Sequence, residues 1–541
     1  MNRRNPGQLF SAAGLAWLLL LLVLVLNFSI RWRLRDLPLE RDEGEYAYAG
    51  QLILQEVPPY KLAWNMKFPG VYFAYAGLMS VFGESPAGLH TGLICVTSLS
   101  ILLVFLIGRE LMGPVGGGMA AALFTLLTLL PEAFGLAGHA THFVVLFVCL
   151  GTFALLMAEK KRPLLWAFLA GAAFGVAILM KQQAFVFLPV AMGWQWWQAW
   201  QRKEKVLLGS GILLGGVALP LLLTAAAMAW AGVWDRFNFW TIEYARQYVS
   251  IFPLWAAPRQ FVAGFGPVFN SGPWAWWLGV AGLVLLFLRR QSGNAILPGT
   301  GLFLAGMVAT APGFYFRGHY FIMAMPGLAL LGAAGLLALA GWVKEFPQIR
   351  SLKYLPVCLF LIVAGDLLAR NAEIWFRLPP LEVSRRLYGL NPFPESAGIA
   401  SYIAAHSAPD DTIAVLGSEP QIFFLAHRNS ASGYIYVYPL TEPQPLAPVM
   451  RQEFIREIET ARPKYVVYVN NFRSWYSVIT PADPPQVLGG FQPWWNDYSK
   501  DYQLVGQVDS ADNQPPEFFW DGEMSARTNS APPGISIFRR N

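Results

Sequence analysis

Residues 10–30, FSAAGLAWLLLLLVLVLNFSI, run for 21 positions without a charge. At about 1.5 Å per helical residue the run covers a bilayer core of about 30 Å. Comparable apolar runs follow at roughly 89–108, 115–131, 141–158, 164–180, 184–199, 207–230, 273–289, 297–312, 320–342 and 353–370, which makes eleven expected spans. Hydrocarbon offers no partner for a backbone N–H or C=O, so such segments are helices. The composition agrees: 55% hydrophobic and 13% charged, with 21 Trp and 38 Phe, is far from the balance of a soluble domain. A cleaved signal peptide is the competing reading of the first run. Its length, and the lack of a small-residue cleavage site after it, favour a retained span.

The basic residues set the orientation. With Arg3 and Arg4 in the cytoplasm, alternation places Arg109, EKKR (159–162), QRKEK (201–205), RR (289–290) and KEFPQIRSLK (344–353) on that same side. That is the positive-inside pattern. The formal net charge of +6 is thereby spread over short loops, which excludes a nucleic-acid-binding stripe. Cys95, Cys149 and Cys358 all lie in apolar segments, which excludes a disulfide framework and a cysteine-based zinc site. The extracytoplasmic side receives the first loop (31–88), PEAFGLAGHATH, the turn at Lys181, the 231–272 loop, FYFRGHY and the C-terminal region.

Those outer segments are themselves structured. EYAYAGQLILQ, FPGVYFAYAGLMSVFG and WDRFNFWTIEYARQYVSIF carry aromatic and aliphatic residues at helical spacing, with Phe237, Trp240, Tyr244 and Tyr248 on one face of the last. They read as interfacial helices roofing a cavity at the membrane surface. The transmembrane domain is placed at 1–375. From about residue 390 helical and strand patterns alternate, predicting a soluble α/β domain over 390–541 with a largely parallel sheet. That domain shows no nucleotide-binding glycine loop, and GPVGGG (113–118) lacks the Lys-Ser/Thr of a phosphate loop.

Polar residues collect on the outer face, and ionisable groups at membrane depth are costly enough to point to function. Asp42 and Glu43 directly follow the first span and are the candidate catalytic pair, one activating a hydroxyl and the other supporting it; a solvated acidic loop is the alternative, at even odds. Arg41 and Glu45 read as supporting or solvated. Lys67, Lys181, Arg317, His319 and Tyr320 are candidates for holding a phosphate. Their alternatives are interfacial anchoring for Lys67, snorkelling for Lys181 and an aromatic belt around Arg317. His139 and His142 are three apart and would share a helical face, so a divalent metal stays open; because two histidines make an incomplete site, satisfied interfacial histidines are the favoured alternative. Glu243 and Arg246 join His139, Thr141 and His142 as acceptor-side or accessory candidates.

In order along the chain, DEGEYAYAGQLILQEVPPY, KFPGVYFAYAGLMSVFG, GRELMGPVGG, ILMKQQAFVFLP and RGHYFIMAMPGLALL resemble the polytopic C-type glycosyltransferases. The likeness is specifically to bacterial members of family 39, which includes protein O-mannosyltransferases and the lipid A aminoarabinose transferase. The resemblance covers roughly residues 10–345. It implies a polyprenyl-phosphate-sugar donor, inversion at the anomeric carbon and a bacterial inner-membrane location. Acceptors in such a family are lipid, protein or polysaccharide. Asp42 matches the family's first-loop acid, Lys67 a basic residue near the donor phosphate, and Arg317 with His319 further basic positions. Relatives often carry an Asn-x-Glu or similar acid in the second outer loop. Here Thr141 stands at the acidic position, so a second acid is missing unless Glu132 or Glu43 supplies it.

Two other readings use the same residues. A transporter or flippase of lipid-linked sugar needs the charged cavity without chemistry, but the related halves and broken midplane helices of many transporters are not evident in the sequence. A non-catalytic subunit of a glycan-assembly complex is the third.

Overall fold

The computed structural model describes residues 12–160, 162–203, 206–289, 293–476, 491–510, 514–527 and 532–541. Arg3, Arg4, Phe10, Ser11, Lys161, Glu204, Lys205 and Arg290, which entered the span and loop assignments, lie outside the described residues.

Helix α1 (Ala12–Arg33) opens the bundle. Two short helices of the first loop follow, α2 (Arg41–Leu54) and α3 (Gly70–Phe82). Next comes α4 (Pro86–Thr128), whose 43 residues would reach about 65 Å if straight. It is not straight. Gly113 has φ 80° and ψ 175°, directly before Pro114, a combination that breaks a helix and that glycine tolerates best. A Cβ on Gly108 would lie 2.9 Å from Gly117 Cα, so the two arms fold back on each other. They correspond to two of the expected spans, with Arg109 near the turn.

Among the described residues, seven helices are long and apolar enough to cross a membrane. The count is eight if Leu254–Asn270 and Pro273–Leu288, bent by 102°, form one broken span. The sequence predicts eleven. The two arms of α4, which fold back on each other and each match an expected span, enter this count as one helix; the expected spans that fall short are those at 184–199, 273–289 and 297–312, helices of 16 residues: Phe187–Arg202, Pro273–Leu288 and Gly293–Val308. Sixteen residues cover about 24 Å, short of a bilayer core. The apolar runs there extend past the helix ends, which a count of hydrophobic residues does not detect. Val206–Trp230 exposes Leu207, Leu222 and Trp230, an apolar surface suited to lipid.

The aromatic segment after residue 233 also departs from a regular helix. It runs as Trp234–Asn238, a π-helical stretch Phe239–Tyr244, and Ala245–Tyr248. Phe237, Trp240 and Tyr244 are buried, while Tyr248 is half-buried and stacks on Tyr315 at 4.4 Å.

The C-terminal region holds a five-stranded sheet: β1 (Ile413–Leu416), β2 (Tyr465–Val469), β3 (Tyr502–Asp509), β4 (Glu517–Trp520) and β5 (Ile535–Arg540), in the order β1-β2-β5-β3-β4. Only β1 and β2 pair in parallel. The sheet is therefore mixed rather than largely parallel. IAVL and YVVYV are continuous apolar runs, as strands covered on both faces require, and these two were legible. Pairing of the last three strands is set by tertiary contacts.

Candidate active site

The site begins with the first turn of α2. Glu40 is its N-cap, accepting from the Glu43 backbone N–H at 2.8 Å, and the Glu43 carboxylate reaches back toward the Glu40 N–H, a reciprocal cap. Capping fixes the helical phase, and successive side chains then point about 100° apart. Asp42 faces a cavity of about 840 Å³ between the bundle end, the first loop and the C-terminal domain. Glu43 turns the other way. It is fully buried, accepts from the Gly138 N–H at 2.5 Å and lies 3.0 Å from His90 Nε2. It ties the loop before His139 to α2 and does not line the cavity, a correction to its expected catalytic place.

Asp42 and Glu45, three residues apart, share a face. Lys67 Nζ is 2.8 Å from Asp42 Oδ1 and 2.5 Å from Glu45 Oε2. Glu45 is buried and also accepts from the Tyr72 hydroxyl at 2.6 Å, so it is not solvated. Arg41 bonds Glu419 and the Ser418 carbonyl of the C-terminal domain. Burial raises the Asp42 carboxyl, but Lys67 and His139 together hold it well below the usual carboxylate range.

His139 directly precedes helix α5 (Ala140–Ala158), with ψ 147° outside the helical range. It therefore does not share a helical face with His142. His142 points to Thr128 Oγ1 at 3.5 Å, Thr141 is buried within α5, and neither lines the cavity. Instead the His139 ring lies parallel to His319 at 4.0 Å. Its Nδ1 is 3.6 Å from Glu40 Oε1 and 3.7 Å from Asp42 Oδ2, and neither ring nitrogen has a hydrogen-bond partner. Ligand atoms of Asp42, His139 and His319 all lie within 4.8 Å of one another. Two imidazoles and a carboxylate suit a divalent transition metal, and the orphaned, buried His139 nitrogens fit such an occupant.

Among the described residues, two further carboxylates line the cavity, Glu442 and, two residues before Asp42, Glu40. Glu43 is turned away and Glu132 is exposed outside the cavity. Burial, with Asp42 and Glu43 nearby and His139 opposing, lifts the Glu40 carboxyl to about 7. The sequence signal for it was the acidic cap three residues before Glu43.

Lys181 ends helix α6 (Pro163–Met180) and sits 4.6 Å over the Tyr320 ring. Arg317 lies over Tyr315 at 5.4 Å. Both line the cavity, and among the described residues no carboxylate pairs with either. Burial, together with Lys67, lowers the Lys181 ammonium to about 8. Arg246 lines the cavity too, whereas Glu243 is exposed away from it. Tyr436, Tyr438 and Glu442 of the C-terminal domain complete the wall, with the Tyr244 hydroxyl donating to Glu442 Oε2 at 2.5 Å.

Residues 66–230 match the family model described as dolichyl-phosphate-mannose-protein mannosyltransferase. Sequence and fold both resemble the C-type glycosyltransferases. The chain is 32% identical over 267 residues to an undecaprenyl phosphate-alpha-4-amino-4-deoxy-L-arabinose arabinosyl transferase of Pseudomonas paraeruginosa, covering 46% of this chain and 45% of that protein. A second transferase of that description, from Pseudomonas fluorescens, is 31% identical over 276 residues, covering 47% and 48%. The chain thus spans about half the length of the curated relatives it matches. ArnT from Cupriavidus metallidurans, solved bound to undecaprenyl phosphate, superposes with a TM-score of 0.54 at 16% identity, covering 85% of this chain and 94% of that one. The archaeal oligosaccharyltransferase AglB from Archaeoglobus fulgidus gives 0.53 at 12%, covering 97% and 76%. These two likenesses are of fold.

Proposed function

We propose that the chain is an inverting membrane glycosyltransferase that moves a sugar from a polyprenyl-phosphate carrier to an acceptor hydroxyl on the extracytoplasmic face. The observation that carries this reading is the pair of cavity cations without carboxylate partners, Lys181 and Arg317, opposite the carboxylate of Asp42. Partly buried cations of this kind call for an anionic ligand, and a lipid phosphate at the bundle end supplies one. Lys67 is already neutralised by Asp42 and Glu45, so its role is to place Asp42 and to lend the phosphate a weaker attraction.

In this mechanism the acceptor oxygen attacks the anomeric carbon from the Asp42 side. The bond from that carbon to the phosphate oxygen breaks, its electron pair stays with the lipid phosphate, and Asp42 takes the acceptor proton. Asp42 is a weak base, which is adequate because a phosphate is a fair leaving group and orientation supplies much of the rate. Lys181 and Arg317 stabilise the charge gathering on the departing phosphate. A divalent metal held by Asp42, His139 and His319 would supply further positive charge to the acceptor or the phosphate.

The test is transfer of a labelled sugar by reconstituted protein. Asp42→Asn should lower transfer by about 100-fold or more while undecaprenyl phosphate still binds. Transfer undiminished in this variant would refute the assignment of the base. Mass spectrometry of outer-surface glycans, with and without the protein, identifies the sugar and the acceptor.

A further inference from the structure

The acid-bearing helix α2 is held on one side by the C-terminal domain. Arg41 pairs with the fully buried Glu419 and with the Ser418 carbonyl, and Glu419 is in turn bonded by Gln421 at 2.7 Å. The Tyr48 hydroxyl accepts from the Ser430 N–H at 2.8 Å, two turns along the same helix. Between these points a Cβ on Gly44 would lie 2.6 Å from the Gln421 backbone nitrogen, so the two backbones touch where α2 carries no side chain. From the irregular segment just before Tyr438–Thr441, the Tyr436 hydroxyl donates to the Arg41 carbonyl at 2.8 Å and stands 3.5 Å from Asp42 Oδ1. Its ring also faces the Lys67 ammonium at 5.9 Å.

We infer that the C-terminal domain is a working part of the site, with Tyr436 and Glu419 as positioning residues that set the angle of the first turn of α2 and hence the aim of Asp42. Lys67 alone does not determine that aim. Its ammonium is shared between Asp42 and Glu45 and restrains one oxygen of Asp42, while rotation of the turn about the helix axis is resisted by Arg41–Glu419 and by the hydroxyl on the Arg41 carbonyl. A displacement of about 1 Å at a reacting group is worth on the order of 100-fold in rate. An apolar docking surface would give adhesion without this directional hold. The inference rests on the function proposed above.

Two readouts keep the two proposals separable. The first is hydrogen–deuterium exchange over residues 41–48 in the full chain, in lipid nanodiscs, for the wild type, Glu419→Gln and Tyr436→Phe. The second is labelled-sugar transfer beside binding of undecaprenyl phosphate. Support is faster exchange in the first turn of α2 in both variants, with kcat lowered about 10-fold to 100-fold and undecaprenyl phosphate affinity within twofold of wild type. Glu419→Asp, which keeps the charge, should recover most of the rate. Unchanged exchange in both variants would overturn the inference, as would equal losses in affinity and kcat. If the wild type transfers no sugar, the proposed function fails while the exchange measurement still decides whether the domain holds α2.

Discussion

At the scale of single residues, adjacent acids have opposite duties. Asp42 faces the cavity and Glu43 holds the loop at Gly138, so Glu43→Gln should cost about 1–3 kcal/mol of stability, read as a lower Tm, with the affinity for undecaprenyl phosphate retained. Lys181 gives a pH signature. With its ammonium lowered to about 8, raising pH through 8 removes a proton from the free site that the bound phosphate would retain. Affinity for undecaprenyl phosphate should then fall by up to about tenfold per pH unit above 8. Lys181→Arg, which does not titrate there, should flatten the profile. An equally steep profile in the arginine variant would count against Lys181 as the phosphate contact. Asp42 stood out in the sequence because charge soon after an apolar run is conspicuous, whereas Lys67, before Phe-Pro-Gly in the first loop, was singled out chiefly by the resemblance. The division between Glu43 and Glu45 was not legible, because a helical phase has no origin until the cap at Glu40 is known. His139 and His142 failed as a pair for the same reason, with the helix beginning one residue later than a shared face requires.

At the scale of elements, the first-loop helices and the broken α4 decide where these residues stand. At Gly44 the backbones of α2 and the C-terminal region approach too closely to admit a Cβ. Gly44→Ala should force the backbones apart and cost about 1–3 kcal/mol, measurable as a lower Tm and as protease sensitivity near residue 420. The apolar runs disclosed the helices themselves, since hydrophobic length is the dominant signal in a membrane chain. They did not disclose how many are long enough to cross. Neither the hairpin at Gly113 nor the 102° bend before Pro273 changes the composition of the segment that contains it. The π-helical stretch Phe239–Tyr244 is likewise invisible to a 3.6-residue periodicity, although the burial of Phe237, Trp240 and Tyr244 followed from it well enough.

At the scale of the whole molecule, the cavity belongs to two regions far apart in sequence. The apolar bundle and a β-containing tail were both readable, whereas the tail, which shows no nucleotide-binding glycine loop, supplies Tyr436, Tyr438 and Glu442 to the cavity. Pairings across some 394 positions leave no trace in local pattern. The proposed orientation is checked by cysteine labelling: a cysteine at exposed Glu459, introduced into intact cells, should react with a membrane-impermeant reagent, and one at Lys344 should not. The reverse pattern would turn the molecule over.

The separation of Asp42 from the wall at Tyr436 also has a consequence for biosynthesis. At about 5–20 residues per second, the 394 residues between them take roughly 20–80 s to make. Throughout that interval the helix carrying Asp42 has its Glu40 cap and Lys67 but lacks the hold proposed for Tyr436 and Glu419. On the proposed function, a prematurely terminated chain would carry Asp42 without the Tyr436 wall of the chamber, and transfer would begin only once the C-terminal region had been made.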